Sequence, residues 1–243
     1  MLIEVEGIIV AERPYSETSK LLTILAKDYG LINVMAKGAK RLKSDIRIIT
    51  EKLTYARFNI QYKKDKISTL INGTIINNLK NVKMSIDKIS YVSYILELAG
   101  QVSKEHFNNK LYDLTISAIL KINDNYDDFV IMNILELKFL DFLGVMPVID
   151  CCAVCGSKNN ILTLSASAGG FVCKNCYHND KLVSEKALKI IRAYYYVDIS
   201  SLEKIVVSEK IRNEINSFLD DYYDRYTGLY LKSKAFIKTL KSL

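Results

Sequence analysis

Four of the five cysteines in this 243-residue chain fall into two short pairs, Cys152-x2-Cys155 and Cys173-x2-Cys176, with seventeen residues between the pairs. Each pair offers two thiolates on one tight knuckle, about 2.3 Å from a shared tetrahedral ion. Four such ligands make the closed cage typical of structural zinc, and iron is the other ion such a cage accepts. Gly156 after the first knuckle supports a sharp turn. The rival reading, four reduced thiols that never meet a metal, leaves the matched spacings unexplained. A redox dithiol needs one pair only, and no βαβ pattern surrounds either. Cys151 could stand in for Cys152, although the x2 spacing favours Cys152. His178, two residues past Cys176, reads as a solvated loop residue rather than a substitute ligand. With four sulfurs ligated no position stays open for a catalytic water, so the expected cofactor is one structural Zn2+ per chain.

The second group is cationic. From Lys37 to Lys66 ten basic residues stand against three acids, an excess of seven that equals the net charge of the whole chain, +7. Residues 1–80 hold fourteen basic and eight acidic side chains, residues 81–150 six and ten, and residues 151–243 fourteen and nine, so the charge is local. Lysine is abundant throughout, and the bland reading is a solvated face inflated by that bias. The functional reading is a groove for a phosphate backbone, with Tyr55 or Tyr62 as a stacking surface. Tyr194 to Tyr196 and Tyr222-Tyr223 read as helix core and boundary residues.

Nothing comparable points to catalysis. There is no GxxxxGK[ST], no GxGxxG after a strand, no HExxH and no GxSxG. His106, in the polar stretch KEHFNN, reads as a surface residue. Asp127-Asp128 precedes a helical pattern, where acids favour the N-terminal dipole, and Asp220, Asp221 and Asp224 read as a solvated helical face. The expectation is a protein that is not an enzyme. A composition of 49% hydrophobic and 25% charged residues excludes a disordered chain. MLIEVEG has no basic leader region and no window approaches about 18 uninterrupted apolar residues, so the chain is expected in the cytoplasm and away from membranes.

The elements that must position these groups follow from periodicity. Ile3 to Glu12 is apolar and closed by Pro14. Lys20 to Lys27 and Leu31 to Lys37 form a hairpin about Asp28-Tyr29-Gly30. Ala56, Phe58, Ile60 and Tyr62 alternate with Tyr55, Arg57, Asn59 and Gln61, and Lys64-Asp65 turns the chain into Ile67 to Asn77. Five strands in about 75 residues, with a basic loop between the third and fourth, predict an OB-type β-barrel. After residue 80 the period becomes 3.6. Ile86, Ile89, Val92, Leu96 and Ala99 form one stripe and Leu111, Leu114, Ala118 and Ile122 another. A broader one, Phe129 to Leu143, ends at Gly144 with Pro147 following. Residues 148–180 break the pattern, helix resumes near Ser184, and a last helix spans about 208 to 226. The fold class is therefore α+β, a five-stranded barrel followed by an α-helical domain that carries a four-cysteine zinc knuckle. Residues 1–80 are expected to be the nucleic-acid-binding domain, and 81–243 the helical domain with the zinc insertion at about 148–180.

The wording of several stretches resembles the bacterial recombination mediator RecO family over nearly the full length. These are GIIVAERPYSETSKLLTILAKDYG, AKGAKR at 36–41, LELKFLDFLGVMPVIDCCAVCG at 135–156, and GGFVCKNC at 169–176. Cys151 departs from the family pattern, and the usual Arg-rich loop is shortened to Lys40, Arg41 and Lys43. The resemblance implies a DNA repair and recombination mediator that binds single- and double-stranded DNA and anneals complementary strands. It also implies work with RecR to help RecA displace single-strand binding protein, and contact with the acidic C-terminal tail of that protein through the helical domain. Carried over by position, it places DNA contacts at Lys37, Lys40, Arg41 and Lys43. Arg57 and Lys63 join them on charge and position alone. The alternative is an adaptor between proteins that uses its zinc knuckle without annealing DNA.

Overall fold

A computed structural model of the chain describes residues 1–234 and 237, except for the side chains at 105 and 106, so His106 lies outside the described residues. The first five strands are β1 (Leu2–Pro14), β2 (Lys20–Ala26), β3 (Gly30–Ala36), β4 (Tyr55–Gln61) and β5 (Ser68–Asn77). They close into a barrel in the order β1-β2-β3-β5-β4, with β3 against β5 the parallel pair and β4 returning to β1. Period-two alternation fills the interior. Ile3, Val5, Ile9, Leu22, Ile24, Val34, Phe58 and Ile60 all point into one core.

The barrel is buried on part of its outside as well. Leu21, Leu25, Ile8 and Tyr55 lie on outward positions and are buried nonetheless. The cover comes from α2 (Ile86–His106), which follows the short α1 (Lys80–Lys83), and from α3 (Asn109–Asn123). Tyr55 Oη and Tyr112 Oη both donate to Glu6 Oε1, tying α3 to the barrel wall. The change of period at residue 80 therefore marks where strand gives way to helix and not where packing divides. One compact unit is Met1–Asn123, joined by the segment that begins at Lys232; the other is Asp124–Leu231.

In the second unit, α4 (Asp128–Phe142) buries Phe129, Val130, Met132, Ile134, Leu135, Leu137 and Leu140, residues that go right round the helix, wider than the stripe read from the sequence. Asp127 caps it by accepting from the Phe129 and Val130 N–H groups, both at 3.1 Å. The hairpin β6 (Ile161–Ser165) and β7 (Gly170–Cys173) follows, then α5 (Glu185–Tyr196) and α6 (Glu209–Tyr226). Tyr194, Tyr222 and Tyr223 are buried core residues, and Tyr196 stands at the boundary, 60% exposed. None of the described helices is long and apolar enough to cross a membrane.

Candidate nucleic-acid interface and metal centre

The thiols of Cys152, Cys155, Cys173 and Cys176 converge, every pair of sulfurs within 4.8 Å. A tetrahedral ion with bonds of about 2.3 Å sets its sulfurs about 3.8 Å apart, and Cys155 Sγ lies 3.7 Å from Cys173 Sγ. Two backbone devices bring them together. The first knuckle turns at Gly156, in the left-handed region with φ +74°, whose N–H donates to the Cys152 carbonyl at 2.8 Å. The second begins at the end of β7, and the segment 148–153 zips onto that strand: Phe171 N–H donates to Val148 O at 2.8 Å and Ala153 N–H to Phe171 O at 2.7 Å. Gly170 makes this zipper possible, because a Cβ there would stand 2.1 Å from Val148 O.

Burial pushes the Cys152 thiol up, but N–H donors from the Cys173, Cys155 and Val154 backbone outweigh it and lower the group to about 6. Hydrogen bonding to the Cys155 and then the Cys173 sulfur pushes Cys176 up to about 12. Four sulfurs this close cannot all ionise without a cation among them, and a divalent ion is the partner such a set accepts. Cys151 is outside the cluster and His178 is exposed, which fits the reading of the sequence for both.

Lys37, Lys40, Arg41 and Lys43 all lie exposed on the loop between β3 and β4. That loop is a staircase of turns, Arg41 N–H to Gly38 O, Ser44 N–H to Arg41 O and Arg47 N–H to Ser44 O, ending in a 3-10 turn at Ile48–Thr50. It is fastened to the β1–β2 loop by Lys40, whose N–H donates to Thr18 O at 2.9 Å and whose Nζ donates to Ser16 O at 3.2 Å. None of the four makes an ion pair with a described residue. Arg57 projects from the middle of β4 and pairs with Glu4 at 3.7 Å. Lys63 sits in the β4–β5 turn, at the opposite end of β4, about 20 Å from the loop at ~3.3 Å per residue. The structure thus groups the first four, and a seven-residue strand separates them from Lys63.

Of the two aromatic candidates, Tyr55 is buried with its hydroxyl on Glu6 and offers no stacking face, whereas Tyr62 is half-buried beside Tyr29. Sequence reasoning passed over Tyr15, 61% exposed on the loop that holds Lys40, and Leu42, 86% exposed between Arg41 and Lys43. The signal for Tyr15 was its place in the turn PYSETS, next to the basic segment only in space. Nearby a cavity of about 620 Å³ is lined by Lys20, Lys40, Arg47, Lys52 and Lys83 with Glu12 and Glu51. Lys20 engages Glu12 at 2.8 Å and Lys83 reaches Glu51 at 4.0 Å, which leaves Lys40, Arg47 and Lys52 as surplus positive charge.

A closed barrel with a cationic loop, followed in the chain by helices and by four cysteines spaced to hold a metal ion, defines the class: an α+β protein with a basic barrel and a candidate metal centre. Residues 1–79 match the family model described as Recombination protein O N terminal, and residues 84–235 the model described as Recombination protein O C terminal. The chain is similar to the DNA repair protein RecO of Bacillus pumilus, 35% identical over all of this chain and 96% of that one. It is similar also to the DNA repair protein RecO of Listeria monocytogenes serotype 4b, 31% identical over 97% and 93%, and of Bacillus subtilis, 30% identical over 100% and 96%. The chain belongs to the RecO family of DNA repair proteins.

Proposed function

We propose that this chain binds single- and double-stranded DNA through the β3–β4 loop, anneals complementary strands and, with RecR, helps load RecA onto DNA coated by single-strand binding protein. The observation that carries this reading is the row of exposed cations, Lys37, Lys40, Arg41 and Lys43, without an ion-pair partner among the described residues, on a loop pinned to a closed barrel. Two strands repel along their backbones. Cations that neutralise phosphates on each lower that barrier while the bases stay free to pair. Arg57 and Lys63 extend the cationic surface along β4. The barrel, residues 1–80, is the nucleic-acid-binding domain in this reading, and residues 81–243 form the helical domain, which receives the acidic tail of single-strand binding protein. The protein acts in the cytoplasm on the nucleoid and carries out no bond chemistry of its own.

The four cysteines would hold Zn2+, which supplies the charge that lets all four thiols ionise. Around it the Cys173 N–H, 3.4 Å from Cys152 Sγ, orients a ligand sulfur. The test is strand annealing across a salt series with the intact protein and with Lys40→Ala/Arg41→Ala/Lys43→Ala. The triple variant should bind single strands more weakly, and its slope of log affinity against log salt should flatten by roughly 0.7 for each phosphate it no longer neutralises. An unchanged slope overturns the assignment of the loop. Absence of annealing by the intact protein overturns the reading as a whole and leaves a protein adaptor.

A further inference from the structure

The opposite end of the barrel holds a second cavity, of about 530 Å³, where the β2–β3 and β4–β5 turns meet. Its floor is Ile32, part of the barrel core, and its walls include the rings of Tyr29 and Tyr62, half-buried against that core with centroids 5.0 Å apart. Lys63 and Lys66 stand exposed on the lining; neither makes an ion pair with a described residue, and Asp65 in the same turn leaves the pair in excess. Asn33 contributes a side-chain amide whose oxygen accepts from Thr23 Oγ1 at 3.1 Å and whose amino group has no acceptor among the described residues. Aromatic wall, apolar floor, amide donor and flanking cations are the parts that recognise a nucleotide with its base out of the stack.

We propose that this cavity seats one unstacked base of a single strand, with the adjoining phosphates on Lys63 and Lys66. The inference rests on the DNA-binding reading and adds a place for a base. The volume lies within the range of about 300–1,000 Å³ that holds small organic groups. A duplex keeps its bases stacked and cannot fill it, so the cavity separates single strands from duplexes, which the cationic loop alone cannot do. The strand β4 sets the cavity about 20 Å from the loop, roughly six nucleotides at the stacked spacing of 3.4 Å. One short strand can therefore touch both.

The experiment uses the full chain and three ligands of equal length, about 15 nucleotides: a single strand, the same strand with abasic sites, and a duplex. The single strand should bind about five- to 150-fold more tightly than its abasic form, the range that stacking of one base gives. Tyr62→Leu, which keeps apolar volume, should erase that preference, and Lys63→Ala/Lys66→Ala should reduce the salt slope for single strands. Should Tyr62→Leu fail to fold, a single 2-aminopurine walked along the strand on the unaltered protein serves instead, with a distinct fluorescence change expected at one position. Equal affinity for normal and abasic strands, both salt-dependent, overturns the cavity assignment alone. No salt-dependent binding to any of the three overturns the DNA reading beneath it. If an acidic peptide competes through Tyr62 while no base preference exists, the cavity belongs to a peptide and the proposal falls.

Discussion

Cys152 is the thiol readiest to ionise, because three backbone N–H groups outweigh its burial, and ligands reach a metal only as thiolates. Metal binding at the knuckle must therefore release protons, so acidification favours loss of the ion and alkaline solution favours retention. Native mass spectrometry of protein purified under reducing conditions should find one ion per chain at neutral pH and progressively less as the pH falls. Cys152→Ser should fall well below one ion per chain at every pH, with a lower thermal transition. A variant that keeps its ion and its transition would remove Cys152 from the ligand set. Arg57 illustrates the other kind of residue, an exposed cation whose partner Glu4 is also exposed. Arg57→Ala should change stability by no more than about 1 kcal/mol. In the proposed function it should nonetheless lower the single-strand salt slope by roughly 0.7, and chemical denaturation beside a salt titration separates the two effects.

Two connections decide how the elements of the second unit hold. Ser184 caps α5 by accepting from the Ala187 N–H at 3.2 Å, and its own hydroxyl and N–H donate to Glu214 on α6. Burial pushes the Glu214 carboxyl up, but the Ser184 donors, with Lys210 and Lys181, outweigh it and leave the group lowered. A carboxyl lowered in the folded state stabilises above its unfolded value and loses that contribution as pH falls through the folded one. Ser184→Ala should thus cost about 1 kcal/mol at neutral pH, and the cost should shrink in acid. Equal losses across pH would show that the cap acts alone. Gly170→Ala should be harsher, on the order of 3 kcal/mol, because Val148 O occupies the site of the new Cβ; thermal melts check it. The five strands, the start of α5 and the span of α6 were legible because strand alternation, the capping Ser184 and helical periodicity are local signals. The β6–β7 hairpin was not, since Ile161–Ser165 and Gly170–Cys173 are too short for periodicity to show. Nor could Tyr55 be recognised as buried, because its cover is Tyr112, far along the chain. At the candidate metal centre the spacing named the four sulfurs that the fold brings together. At the barrel it named the cations but not Tyr15, whose nearness to Lys40 exists only after folding.

At the scale of the molecule, the net charge of +7 resolves into a barrel with cations on a loop at one end and on a turn at the other. Long-range attraction to DNA should follow the total, while selectivity follows what lies between the two ends. Association rates should therefore fall with salt for single strands and duplexes alike, and stopped-flow measurements at several ionic strengths test this. The compact unit that contains the barrel is not finished at Asn123. Glu97 on α2 accepts from the Lys232 N–H at 3.1 Å and from the Ser233 N–H at 2.9 Å, and Ser233 Oγ also donates to it. These partners stand 135 residues apart. At about 5–20 residues per second of synthesis, Glu97 waits roughly 7 to 27 seconds for them after it is made. A nascent chain can close its barrel early, yet that unit acquires this fastening only after all of the intervening second unit has been translated.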